Sequence, residues 1–149
     1  MLAAVLVLAV PATAAPMPTL TETEHALFTA VNAARISRGL PPLRLDPGLT
    51  RAARSHSRQL LSEGRLVHGA LTERLRRFRA PAATFGENLA WGAGVHGQAA
   101  AVVGRWLNSP SHRANLLRPG FRWVGLGAAT GTFAGRPGAT VVTAVFSGD

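Results

Sequence analysis

The chain is 149 residues long, 47% apolar and 15% charged, which fits one globular domain and excludes a disordered or low-complexity segment. It has no cysteine, so a disulfide framework, a thiolate metal site and a cysteine nucleophile are excluded as well. The net charge is +9 and all 16 basic residues are arginine, which either draws an exported protein towards anionic lipids or acidic wall polymers or is simply a solvated basic surface.

Residues 1–10 are a short apolar run, and Pro11-Ala12-Thr13-Ala14 follows with small residues in an A-x-A arrangement. This reads as a secretory signal over 1–14, too short to span a membrane; its basic n-region is missing, which leaves the true start open. Residues 15–22 read as a linker and 23–149 as one domain. A threonine at 21 followed by Glu24 is a capping box, and it opens a helix predicted over about 22–38, with Leu27, Val31 and Ala34 on one face and a stop at Gly39. Asp46 and Pro47 supply the N-cap and first position of a second helix, whose inner face carries Leu49, Ala52, Ala53, His56 and Leu60 and which Gly64 ends. A short arginine-bearing helix follows over 71–78, and another over 98–107 buries Val102, Val103 and Trp106. Strands are predicted at 85–91, 122–129 and 140–146, the last two joined as a hairpin by the glycine-rich stretch 131–138. Helices lead and strands close the chain, so the fold class is α+β.

Four blocks stand out in order. The first is Val31-Asn32-Ala33-Ala34-Arg35 followed by Gly39-Leu40-Pro41-Pro42-Leu43, and the second is Leu66-Val67-His68. The third is Gly86-Glu87-Asn88-Leu89-Ala90. The fourth runs Trp106-Leu107-Asn108-Ser109-Pro110-Ser111-His112-Arg113-Ala114-Asn115-Leu116-Leu117, with Val124-Gly125-Leu126-Gly127 after it. In this order the blocks closely resemble the disulfide-free bacterial form of the CAP superfamily (cysteine-rich secretory, antigen 5 and pathogenesis-related proteins) over about residues 23–147. The resemblance implies a three-layer α-β-α sandwich around a central, mainly antiparallel sheet, with an open cleft lined by two histidines and two glutamates. By motif His68, Glu87 and His112 fill three of those places. The second glutamate is expected three residues after Trp106, where this chain has Ser109.

Two neutral imidazoles and one carboxylate are a credible ligand set for a divalent metal such as Zn²⁺, with water in the fourth place. His68, Glu87 and His112 are 19 and 25 residues apart, so only the fold can bring them together. Ser109 and Pro110 read as N-cap and first position of a short helix, with the Ser109 hydroxyl spent on the cap and His112 third in the helix. The positive end of the helix disfavours imidazolium there, which keeps the ring neutral for a ligand or a general base. Glu87 is open to three roles: ligand, partner fixing a histidine tautomer, or general base. The plainer alternative is a buried His–Glu–His hydrogen-bond network that holds sheet to helix without chemistry.

Asn88, Arg113 and Trp91 complete the expected cleft, Trp91 as a wall and Arg113, with Asn115, as ties around the helix. His56 reads as a satisfied core or cleft-edge histidine, while His25 and His96 read as exposed. No G-x-S-x-G elbow surrounds any serine, and Gly92, Gly94 and Gly97 lack the spacing and the lysine of a phosphate loop. The leading functional reading is a secreted, monomeric binding module with no membrane span after signal cleavage. Its cleft would take a lipid, a small apolar ligand, a peptide or a cell-wall fragment, possible divalent metal included. The alternative is a metal-assisted hydrolase of peptide or wall polymer. A basic polyanion binder is the third reading, since 11 of the 16 arginines fall between Arg35 and Arg79. Interleaved aromatics and nucleic-acid motifs are absent, which argues against nucleic acid.

Overall fold

The computed structural model describes residues 16, 18–80 and 83–148, so the export signal read at 1–14 lies outside the described residues. Helix α1 (Glu22–Ile36) opens with the expected capping box: the Thr21 hydroxyl accepts from the Glu24 amide, and the Glu24 carboxylate accepts from the Thr21 amide. Leu27, Val31 and Ala34 are buried on its inner face, and the chain leaves through Gly39 in the left-handed region at φ +71°. A two-residue strand β1 (Arg44–Leu45) leads into α2 (Pro47–Glu63), where the Asp46 side chain accepts from the Leu49 amide at 2.7 Å. All five residues predicted for its inner face are buried. Then come α3 (Leu71–Arg77), β2 (Thr84–Ala93), a single 3₁₀ turn (Gly94–Gly97), α4 (Ala99–Asn108), α5 (Pro110–Leu116), β3 (Phe121–Phe133) and β4 (Arg136–Gly148).

The four strands form one sheet in the order β1-β3-β4-β2, parallel between β1 and β3 and antiparallel elsewhere. Alternation along β4 divides the core between its two faces. Val142, Ala144 and Phe146 join Leu27, Val31, Val102, Val103 and Trp106 of α1 and α4. Val145, one residue out of step, packs with Leu49, Ala52 and Ala53 of α2 and Leu75 of α3. Helices therefore cover both faces, and the domain is the three-layer α-β-α sandwich expected.

Two features of the sequence acquire a physical reason here. Gly125 and Gly127 alternate along β3 beneath α2, and the helix backbone lies directly on them. A Cβ at Gly125 would overlap the Leu49 carbonyl carbon and the Thr50 nitrogen, and one at Gly127 would overlap Ala53 and Arg54 backbone. Arg35 is fully buried, and its guanidinium donates to the carbonyls of Pro41 (3.0 Å), Leu116 (2.9 Å) and Arg118 (3.1 Å). No carboxylate pairs with it among the described residues. It ties the end of α1 to the Pro41 loop and to the chain leaving α5. Asn32 does similar work, donating to the Leu43 carbonyl and accepting from the Leu43 amide at 2.8 Å.

The hairpin differs from the sequence expectation. The strands run on to Phe133 and from Arg136, so the turn is only Ala134-Gly135, both at positive φ (48° and 75°). Positive φ at both central residues matches the right-handed twist of the flanking strands. The glycines at 131 and 138 thus lie within strands, and glycine content alone placed the turn too broadly.

Candidate functional site

Strand β2 is an edge strand, and the site is built along it. Glu87 and Asn88 are both buried but point to opposite faces of the sheet, as adjacent strand residues must. Glu87 faces α2 and α3. Its Oε1 accepts from His68 Nδ1 at 2.9 Å, its Oε2 accepts from Arg74 Nη2, and His56 Nε2 stands 3.8 Å from Oε1. Asn88 faces α5, where its amide donates to the His112 carbonyl at 2.9 Å and its Oδ1 accepts from Asn115 at 3.0 Å. The strand thus carries the carboxylate on one side and anchors the second histidine's helix on the other.

The carbonyls of Glu87, Leu89 and Trp91, every second residue of β2, accept from side chains rather than from a further strand. Asn115 (3.2 Å), the Trp106 indole (3.0 Å) and Arg105 (3.0 Å) supply the donors. This explains three residues of the fourth block and its surroundings: they dock α4 and α5 against the strand edge.

His68 and Glu87 meet directly. A carboxylate can only accept, so His68 Nδ1 carries the proton, and in the neutral ring Nε2 keeps its lone pair. His112 lies near enough for positive charge on His68 to disfavour its own. Its pKa is held below the ordinary histidine value first by burial and second by that neighbour. The ring is therefore neutral as expected, but for these reasons more than for the helix end. Its Nδ1 is 2.9 Å from the Ser109 hydroxyl. This corrects the expectation for Ser109: it is the N-cap of α5 by backbone position, but its hydroxyl caps no amide and instead meets the imidazole one turn on.

Glu87 stands as the carboxylate partner of His68, both its oxygens engaged. Histidine ligands ordinarily have such a partner, which fixes the ring and leaves the other nitrogen bare. His68, through Nε2, and His112 are thus the residues that would hold a divalent cation. Among the described residues no group of three or more His, Asp or Glu side chains stands in a metal-holding arrangement.

The remaining candidates are dispersed. Trp91 is four residues along β2 from Glu87, roughly 13 Å by strand rise. It lines a separate cavity of about 520 Å³ with His96, Arg105 and Arg136. Arg113 is exposed and reaches the Leu107 carbonyl of α4 at 3.5 Å, a tie between helices. His25 and His96 are exposed, as read.

Sequence reasoning missed Arg74, which holds Glu87 in a buried ion pair. Its signal was present: position 74 falls on the α3 stripe of Leu71, Leu75 and Phe78, so an inward arginine needed a carboxylate. His56 is buried and only half satisfied. Its Nε2 donates to the Val67 carbonyl at 2.9 Å, while Nδ1 is buried without a hydrogen-bond partner among the described residues. Burial lowers its pKa, with Glu87 opposing and Arg74 adding. A folded-state pKa below the unfolded value near 6.5 means that the unfolded chain binds the extra proton. Stability should therefore be full above about pH 6.5 and decline as pH falls towards the folded-state value, His112 acting in the same sense. Thermal melts between about pH 7.5 and 5.5 should show this decline, and His56→Gln should flatten it; an unchanged slope would remove His56 from the account.

A layered α-β-α domain with a His–Glu pair on its edge strand is the kind of scaffold set out above by motif. The chain belongs to the cysteine-rich secretory protein (CAP) family, whose profile matches residues 28–146. It is 32% identical over 109 residues to the uncharacterized protein YkwD of Bacillus subtilis, covering 70% of this chain and 41% of that one. It is 33% identical over 86 residues to pathogenesis-related protein 1C of Nicotiana tabacum, covering 58% and 44%. The chain thus spans less than half the length of these relatives. Among solved structures it resembles an extracellular SCP-domain protein from Bacillus anthracis, with TM-score 0.74 and 26% identity over 89% of this chain and 45% of that one. An outer surface protein of Borrelia burgdorferi shares the fold at TM-score 0.73 and 21% identity, covering 86% and 94%. Among the described residues no helix is long and apolar enough to cross a membrane.

Proposed function

We propose that this chain is a secreted binding module that holds a peptide, lipid or wall-derived ligand at the His68–Glu87–His112 edge of the sheet. The observation that carries this reading is the Glu87 carboxylate, buried and fixed between His68 and Arg74. It sets the proton of an exposed imidazole and leaves the other nitrogen of that ring facing outward beside a neutral His112. Such a pair offers a ligand directional hydrogen bonds, with Glu87 of β2 holding one of the two rings in place. The B. anthracis and B. burgdorferi proteins, by their descriptions extracellular and outer-surface, support the compartment. Palmitate and a muropeptide digest are the probes to titrate. Affinity for one of them should survive about 0.5 M salt and fall at least about tenfold in His68→Ala and His112→Ala, roughly the value of one or two hydrogen bonds. Equal affinity in both variants would overturn the reading.

A second reading, metal-assisted hydrolysis, is favoured by the His68 tautomer alone. A divalent cation held by His68 and His112 would polarise a substrate carbonyl and acidify a bound water. Elemental analysis and zinc titration of the purified domain should then show one equivalent of metal, lost in both alanine variants with the fold intact. No binding in the wild type would remove this reading and leave the first.

A further inference from the structure

Two helices carry most of the charge. Residues 47–80, the span of α2 and α3, hold eight arginines against two glutamates, six of the nine net positive charges of the chain. Some are committed: Arg54 pairs with Glu24, Arg74 with Glu87, and Arg65 lies 3.7 Å from Glu63. Arg51, Arg58, Arg76, Arg77 and Arg79 have no carboxylate partner among the described residues.

These five are gathered rather than scattered. Arg51 and Arg58 are seven residues apart, two helical turns, and so share the outward stripe of α2 opposite Leu49, Ala53 and Leu60. The C-terminal end of α3 abuts that helix. Arg51 donates to the Phe78 carbonyl at 3.2 Å, and a Cβ at Gly48 would touch Phe78 and Ala80 backbone. Arg76, Arg77 and Arg79 therefore emerge beside Arg51, the last from left-handed backbone at φ 51°. Between the helices lies a recess of about 410 Å³ lined by Ser55, Gln59, Glu73, Arg74 and Arg77. His56 is part of its wall, and His56 Nδ1 and Arg74 Nε are both buried there without hydrogen-bond partners among the described residues.

We propose that the α2–α3 layer is a docking face for an acidic polymer, with the recess receiving one phosphate- or carboxylate-bearing unit. Guanidinium forks match either anion in two-point geometry. A row of them across two helices suits repeated charge better than a single small ion. A membrane surface fits less well, because it also needs an apolar anchor. Of the exposed large apolar side chains, Ile36 and Val95 lie on other elements, and Phe85 alone points to the α2–α3 side of the sheet, which is a single ring and not an apolar face. The recess shares Arg74 with the strand-edge site, but the arginine row stands on residues apart from His68, Glu87 and His112, and the variants tested below leave all four in place.

Linear polyphosphate and polygalacturonate are the probes, with neutral dextran as background. At least one should bind with affinity that falls steeply with salt, since bound anions release counterions. The variant Arg76→Gln/Arg77→Gln/Arg79→Asn removes three exposed charges and keeps a residue tolerated in left-handed backbone at 79. It should lose at least about tenfold in affinity and reduce the slope of log K against log salt by about two, at roughly 0.7–0.9 per lost contact. The control Arg38→Gln/Arg118→Gln/Arg136→Gln removes the same charge from exposed sites elsewhere and should change affinity little. Melting curves confirm that both remain folded. Equal losses in the two triple variants would reduce the effect to net charge and overturn the assignment. So would binding confined to phosphatidylglycerol vesicles, or no binding to either polymer.

Discussion

Arg35→Met should destabilise the domain nearly as much as Arg35→Ala, by about 3–5 kcal/mol, although methionine fills most of the space. The reason is that volume is not what Arg35 chiefly supplies. Its guanidinium is the donor for carbonyls of Pro41, Leu116 and Arg118, with Phe121 at the longer distance of 3.4 Å. Burial lowers its pKa from the ordinary arginine value, Arg122 adding to the effect, so the charge is held at a cost that the carbonyls offset. Without a donor the buried Leu116 carbonyl is left unpaired, and those of Pro41 and Arg118 each lose a partner, whatever apolar side chain replaces it. Arg35→Lys should recover part of the loss, since an ammonium can reach one or two of them but cannot fork. Urea denaturation compares the three variants; a methionine variant close to wild type would show that packing, not donation, dominates. The effect should also reach His112, because Leu116 ends the helix that carries it.

Gly125→Ala should be of similar size, at least about 3 kcal/mol, and a fall of roughly 10 °C in Tm. The added methyl meets helix backbone at Leu49 and Thr50, and backbone cannot rotate away as a side chain end can. The whole of α2 would have to lift from β3, opening the layer that holds His56 and flanks Glu87. Gly104→Ala in α4 is the internal control: nothing lies within 4 Å of its Cβ, so helix propensity should make it stabilising by about 1 kcal/mol. If Gly125→Ala melted with the wild type, the close approach of α2 would not be rigid.

Local signals were the legible ones. Thr21 with Glu24, Asp46 with Pro47, and Gly64 each act through neighbours within one turn, and each helix end fell within two residues of its expected place. The hairpin was legible in kind but not in extent, because Gly131 and Gly138 resemble turn residues while the turn itself contains an alanine. Distance in the chain hid more. That His68 meets Glu87 follows from resemblance to the family; nothing within either segment dictates it. The α3 stripe marks Arg74 as an inward arginine, but which carboxylate it meets depends on the packing of α3 against β2. The Ser109 hydroxyl shows the same limit on a small scale, since an N-cap oxygen can choose between an amide and a nearby imidazole, and sequence position does not say which.

The strand edge has one more consequence. An unpaired edge as long as β2 would be a template for another chain to extend the sheet. On β2 the outward carbonyls at 87, 89 and 91 already have donors in Asn115, Trp106 and Arg105, fixed in place by α4 and α5. A chain that has no cysteines to staple it is thereby protected against growing into aggregates by side chains that also hold its histidine helix in position.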